Sequence, residues 1–247
     1  LALNGYKTEQ MLSVLKPIVK ASEAGSMDVA QTAQLTAVAL NVYGKKAEDA
    51  EEFLNILTAA QNNSATSLND LLTAFTGLSG TFDMLHLDFK QASTVMGLMA
   101  DKGISGAEAG TSLNSVFLRL LETNKNSAAA FERLGVSAYD SEGNIRDMYD
   151  IVKDLNSAMS DLTEQEKNMV SKDIFGVHRY KEGMKFLDAL SDAEKYTKLY
   201  GTVSGAYENN YLYNTAETMM NNLQGRITIL KSAAEALGIA LYGTFSD

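Results

Sequence analysis

The sequence predicts an all-α protein built of stacked helix pairs, with one small β-hairpin near residues 136–146. Three observations point there. The 247 residues include a single proline, Pro17, among abundant Ala, Leu, Met, Lys and Glu, a balance that favours helices. Apolar residues recur at i, i+3 and i+4 along most of the chain, the mark of one buried helical face. The first half also repeats itself at an offset of 42 residues. Met11, Phe53 and Val95 align, as do Leu12, Leu54 and Met96, then Val14, Ile56 and Leu98, then Leu15, Leu57 and Met99. Val29, Leu71 and Leu113 follow, and Ala33, Phe75 and Phe117; every residue in these six triplets is apolar.

Each unit reads as helix, polar loop, helix, with loops at "SEAGS", "NNSATS" and "KGISG". Units of this length bury their apolar faces only by stacking on neighbours. Residues 1–125 are therefore expected to form a three-unit region of helix pairs, with Pro17 kinking or ending the first helix. In "LGVSAYDSEGNIRDM", apolar and polar residues alternate from Val136 to Tyr139, turn over Asp140 to Gly143, and resume at Asn144 to Arg146. That pattern predicts the hairpin. Helices are expected at about 147–160, 163–175 and 177–190, so that 126–190 forms a hairpin with helices packed on the repeat. Capping boxes are read at Thr163 with Glu166 and at Ser191 with Glu194. From about Ala206 to Leu241 the pattern is one long helix, so 191–247 is expected to lead out of the domain. Its apolar stripe, with Leu223, Ile227, Leu230 and Leu237, resembles a coiled-coil seam and needs a partner surface in this chain or in another copy.

Composition excludes several functions. The absence of cysteine removes disulfides, thiolate metal sites and cysteine nucleophiles. A net charge of −10 without a Lys/Arg cluster disfavours a broad nucleic-acid surface. No apolar run reaches the length of an ordinary transmembrane helix. The two histidines, His86 and His178, stand 92 residues apart and outside any zinc-ligand spacing. "DSEGN" lacks the ligand spacing and terminal glutamate of an EF-hand loop. The carboxylates read as a solvated acidic surface. No catalytic residue, metal site or cofactor is expected.

"GISGAEAGTSL" poses the sharpest question, because Gly-rich runs ending in hydroxyls often hold phosphate. A P-loop needs a preceding strand and a lysine before its Ser/Thr; here Thr111 follows Gly110 directly and the preceding segment is helical. A helix corner accounts for each residue. Gly103 supplies the left-handed residue after a helix. Ser105 caps the next helix, with Glu108 completing a box. Gly106 and Gly110, four apart, let another helix come close. In "KDIFG", Phe175 plugs the core and Gly176 stops a helix. Tyr207, Tyr211 and Tyr213 cluster as a packing or contact patch.

In this order and spacing, the segments resemble the helical domain of the phage tail tape measure protein family. The matching residues are Gly103 to Thr111, Arg119-Leu120, the Leu-Gly-Val segment with its Asp-x-x-Gly-Asn turn (Leu134 to Asn144, with Gly135 and Gly143), and Ile174 to Gly176. "NVYGKKAEDAEEFLNILTAAQNNSATSLNDLLTAF" and the closing "LQGRITILKSAAEALGIALYGTF" are also similar to that family. The sequence departs from it in "TGLSGTFDMLHLDF" and in Ser112-Leu113-Asn114, where Ala-Leu-Arg is usual.

The resemblance implies a structural fragment that serves as ruler and scaffold while tail-tube subunits polymerise. It implies residence in the tail-tube lumen of a virion or prophage-like particle and synthesis in the bacterial cytoplasm. Implied partners are further copies of itself as a homo-oligomer, tail-tube and baseplate proteins and assembly chaperones, with envelope contact in some members and no direct nucleic-acid binding. Bottom-up, the residues alone fit an acidic, cofactor-free interaction module. That leaves two alternatives: a helical-repeat adaptor of HEAT or armadillo type, or an envelope-active domain, muralytic or membrane-perturbing.

Overall fold

In the computed structural model, which describes residues 8–78, 85, 87–121, 124–222, 226–229 and 231–232, the helix pairs stack in register. The first members are α1 (Thr8–Gly25), α3 (Ala50–Asn62) and α5 (Phe89–Asp101). The second members are α2 (Val29–Val42), α4 (Leu68–Gly77) and α6 (Gly106–Leu120). α1 packs on α3 and α3 on α5; α2 packs on α4 and α4 on α6. Two layers result. Side-chain caps set the starts of α2, α4 and α5: Asp28, Ser67 and Asp88 accept from the amides of Gln31, Asp70 and Gln91, which satisfies donors a helix start leaves unpaired. A 3-10 turn, Ala47–Asp49, leads into α3.

The rest of the chain wraps this stack. α9 (Glu164–Phe175) packs on α6 and on α7 (Lys125–Leu134), α8 (Met148–Met159) lies on α7 and on α10 (Tyr180–Ala189), and α10 reaches α5 and α6. The chain then turns back. α11 (Ala193–Ser204) lies on α5 and α3, and α12 (Tyr211–Asn221) on α3 and α1. α10, α11 and α12 thus form a third layer, and α1, α3 and α5 become the middle one.

That position explains two uninterrupted stretches. Phe53 to Ala60 of α3 and Ala92 to Ala100 of α5 are buried at every residue. A helix without a polar face belongs inside. Fully burying a Phe or Leu such as Phe53, Leu54 or Leu57 is worth roughly 1.5–3 kcal/mol each. Two threonines in these stretches bond to their own helix: Thr58 and Thr94 donate to the carbonyls of Leu54 and Lys90.

Several expectations need correction. There is no β-hairpin of two strands among the described residues, only one antiparallel bridge between Tyr139 and Ile145. Its hydrogen bonds are Asp140 N–H to Asn144 O and Arg146 N–H to Ala138 O, both 2.9 Å. The flanks cannot extend it. Val136 N–H is committed to Phe131 O at the end of α7, and Asp147 already caps α8. Pro17 sits inside α1 without ending it. The Thr163–Glu166 box is formed, but at α11 the cap is Asp192, which accepts from Lys195 N–H, rather than Ser191. The helix read from about Ala206 starts at Tyr211 after a left-handed Asn210 and breaks at Asn222, whose backbone is extended. Up to that point 191–247 folds back over the stack instead of leading outward.

Candidate functional site

α6 brings the marker segments together. Gly103 lies just past α5 with φ +77°. Gly103 N–H bonds Ala100 O, and Ile104 N–H reaches back to Met99 O at 3.0 Å. This is a Schellman end with Ile104 buried beneath it. Ser105 stands at the start of α6, but its side chain makes no cap hydrogen bond. The expected box with Glu108 is therefore not formed. Gly106 takes a left-handed φ of +59°, which swings the hydroxyl off the line of the amides it would cap. Glu108 and Thr111 are exposed, and the Thr111 hydroxyl bonds Ala107 O at 2.7 Å.

At Gly110 α6 crosses α4 almost backbone to backbone. A Cβ there would fall inside the carbonyl oxygen of Ala74 and lie 3.1 Å from its carbonyl carbon and Cα. From the other side, a Cβ on Gly77 would lie 3.4 Å from the Gly110 Cα. One turn beyond this crossing, Leu113, Val116, Phe117 and Leu120 are fully buried. Phe117 meets Phe186 of α10 edge-on at 5.8 Å.

The remaining markers close on the far end of α6. Phe175 is buried at the end of α9, and Gly176 follows with φ +78°, near the Arg119 guanidinium. Arg179 N–H contacts the buried Ser112 hydroxyl at 3.4 Å. Gly135 ends α7 in the left-handed region. Tyr139 O–H donates to Leu121 O at 3.0 Å, which ties the turn to α6. Within that turn the Asp140 carboxylate accepts from the amides of Glu142 and Asn144, and Gly143 has φ +84°. The bond from the Asn144 amide leads in holding the Asp140 carboxyl below its usual range.

The stripe is a separate matter. Leu223, Leu230 and Leu237 lie outside the described residues, while Ile227 is exposed. His86 also lies outside them, and His178 is exposed.

Sequence reading overlooked Gly77 and Gly183. A Cβ on Gly183 would enter the ring of Phe175; a glycine interrupting a short helical pattern was the available signal. It overlooked Asn55 as well, whose side chain accepts from Leu212 N–H and donates to Glu51 O, each at 2.9 Å. Asp101 had no local signal. It accepts from Ala65 N–H at 2.6 Å and pairs with Lys195 at 2.7 Å, fastening the third layer to the second unit.

Chemically, these contacts are packing and fastening. Among the described residues no group of three or more His, Asp or Glu side chains could hold a metal ion. A cleft of about 320 Å³ beside Tyr43, Phe53 and Phe89 carries both Lys90 and Glu52, which pair across it at 3.6 Å. Tyr213 has its pKa pushed up to about 12 by burial, assisted by its hydrogen bond to Glu51. Burial also raises Tyr196, which stacks on Tyr149 at 3.8 Å. Tyr207 is half-exposed and Tyr213 lies under Lys16, 5.0 Å from its ammonium. Among the described residues no helix is long and apolar enough to cross a membrane.

Known proteins match this arrangement at the level of sequence. The model of the phage-related minor tail protein family covers residues 1–176, from α1 to the Gly176 that ends α9. A tape measure protein of Pneumococcus phage Dp-1 is 25% identical over 240 residues, 97% of this chain and 20% of that protein. A probable tape measure protein of Escherichia phage P2 is 25% identical over 195 residues, 76% of this chain and 23% of that protein. The chain therefore spans about a fifth of the length of these relatives. No solved structure matches it. The chain belongs to the phage-related minor tail protein family.

Proposed function

We propose that this chain is a folded domain of a phage tail tape measure protein, a structural scaffold and ruler around which the tail tube assembles. The observation that carries this reading is the alignment of 97% of the chain with a protein named for that role. The fold supports it. The marker glycines and Phe175 serve helix packing, helix ends or turns, which suits a protein that acts by shape and association rather than by chemistry. The proposed site is the α4–α6 crossing with the turn and α9 closing on it, namely Gly103, Gly106, Gly110, Gly135, Gly143, Phe175 and Gly176.

On this reading the protein is made in the bacterial cytoplasm and enters the virion in the tail-tube lumen. Its partners are tail-tube and baseplate proteins, assembly chaperones and further copies of itself. The test uses the full-length gene: delete in frame a helical stretch outside this domain and measure tails by electron microscopy. Shorter tails are expected. Tails of unchanged length would remove the ruler function.

A further inference from the structure

The two most exposed large apolar side chains among the described residues are Val177, 67% exposed, and Met169, 53% exposed. Both belong to the corner between α9 and α10. Gln165, Asn168, Met169 and Lys172 share one face of α9 at helical spacing, while Val170 and Ile174 on its other side are buried. A turn through Val177, His178 and Arg179 folds the chain back, and Tyr180 comes to lie under Lys172, its ring centre 5.1 Å from the ammonium. A groove of about 490 Å³ results, lined by Gln165, Asn168, Met169, Lys172 and Tyr180. Neither Met169 nor Val177 belongs to the core.

Charge at this corner runs against the rest of the molecule. Residues 167–185 hold five Lys/Arg and two Asp/Glu, in a chain whose net charge is −10. Both of those carboxylates are already paired, Asp173 with Arg133 at 3.0 Å and Glu182 with Arg179 at 3.4 Å. Lys167 pairs with Glu164 at 3.5 Å. Lys172, Lys181 and Lys185 are exposed, and among the described residues none of the three has a carboxylate partner. Lys181 and Lys185 stand one turn apart on α10, on the same side of that helix.

Lysines without carboxylates beside an apolar groove fit an occupant that brings carboxylates and a large apolar side chain. A concave groove receives an inserted side chain, which a bilayer surface does not offer. Phosphate binding draws on clustered Arg and Lys, and both arginines at this corner are held by carboxylates. We propose that the α9–α10 groove docks an acidic amphipathic segment of another protein, with an apolar side chain between Met169 and Tyr180 and carboxylates on Lys172, Lys181 and Lys185. Opposite charge speeds such an encounter and fixes its register, and the groove supplies the burial that holds it. The site does not depend on the tape measure reading.

The probe is a fluorescein-labelled peptide of Leu and Glu in helical register, titrated with this chain and followed by anisotropy. Binding is expected, weakening as salt is raised. Lys181→Glu with Lys185→Glu should weaken it several-fold, and so should Met169→Ser; all three positions are exposed, and an unchanged melting curve shows that the fold is kept. Lys46→Glu with Lys198→Glu makes the same charge change at exposed positions on other elements and should leave binding as it was. An equal loss in that control overturns the proposal, because net charge alone then accounts for the binding. So does equal affinity for a Leu and Lys peptide of the same pattern, or no binding of the acidic peptide to the parent chain. Tighter binding of phosphatidylglycerol vesicles or of a thymidine oligonucleotide overturns it in favour of a membrane or a nucleic acid. Sedimentation completes the test: self-association of the parent that Lys181→Glu with Lys185→Glu abolishes would assign the groove to a second copy instead.

Discussion

Gly110→Ala isolates the contact on which the second layer is built. A methyl group there would sit 3.1 Å from two Ala74 backbone carbons and inside the Ala74 carbonyl oxygen. Carbon atoms pack at about 3.5–4.0 Å, so α4 and α6 must part by about half an ångström or more. Backbone cannot rotate aside as a side chain can, so the cost falls at the upper end of overpacking, about 3 kcal/mol. The substitution also gains helix propensity, about 1 kcal/mol. The net expectation is a loss of about 2 kcal/mol, or a fall in Tm of about 4–8 °C for a chain of this size. Gly201→Ala supplies the control. Gly201 lies within α11 with no atom near its added Cβ, so only the propensity gain remains, about 1 kcal/mol of stabilisation. Guanidinium unfolding followed by helical circular dichroism, with m-values compared, measures both. The two variants should therefore move in opposite directions, about 3 kcal/mol apart. If Gly110→Ala matches or exceeds the parent in stability, the close crossing is refuted.

Gly183→Ala drives a methyl into the Phe175 ring and should destabilise by about 1–3 kcal/mol; an unchanged melting temperature in calorimetry would show that Phe175 does not fill the space against α10. Asn55→Ala removes the acceptor of the buried Leu212 amide and should cost about 1–3 kcal/mol. Hydrogen exchange should quicken first in the peptide holding Leu212, and uniform exchange across the chain would contradict a local tether. For alkaline pH the sign follows from Tyr213. Its folded pKa is raised from 10.0 to about 12, so the folded chain keeps a proton that the unfolded chain releases. That stabilisation is complete below pH 10 and is lost as pH rises towards 12, with Tyr196 acting in the same direction. Absorbance at the phenolate band would show the opposite if all eleven tyrosines titrated together at their ordinary value.

The layers differed in how readily they could be read from sequence, for physical reasons. Helix pairs are visible because a stacked unit must present the same apolar positions each time, as at Val14, Ile56 and Leu98, all buried. The middle layer was also written locally, since "FLNILTAA" and "ASTVMGLMA" offer no charged face to solvent. The third layer was not. α11 carries an ordinary amphipathic pattern, and nothing within it names α3 and α5 as its seat; Lys195 and Asp101 find each other only in the fold. The hairpin was misread because alternation and a Gly-containing turn report extended backbone, whereas the flanking helix ends had already claimed the amides that a ladder needs. Local signals of capping fail by a residue for a similar reason. Asp192, not Ser191, had the geometry to reach an amide, and a left-handed Gly106 undid the promise of Ser105 and Glu108.

The same layering decides where a ruler can lie within the proposed tape measure. A rod of single helix advances about 1.5 Å per residue, so 42 residues of rod add about 63 Å. A 42-residue helix pair stacked in this domain adds only one interaxial spacing, about 8–10 Å. The whole domain, packed in three layers, has a radius of gyration of about 17–18 Å, where the same chain as one helix would extend about 370 Å. On that reading, residues spent here contribute almost nothing to length. Inserting a second copy of the α3–α4 unit between α4 and α5 in the full-length protein should therefore leave tail length within about 10 Å of the parent. Duplicating 42 residues of rod elsewhere should lengthen the tail by about 63 Å. Electron microscopy of many tails resolves that difference as a shift of the mean. A lengthening of about 60 Å from the domain insertion would mean that the chain is drawn out along the tube and that the packed layers do not survive assembly.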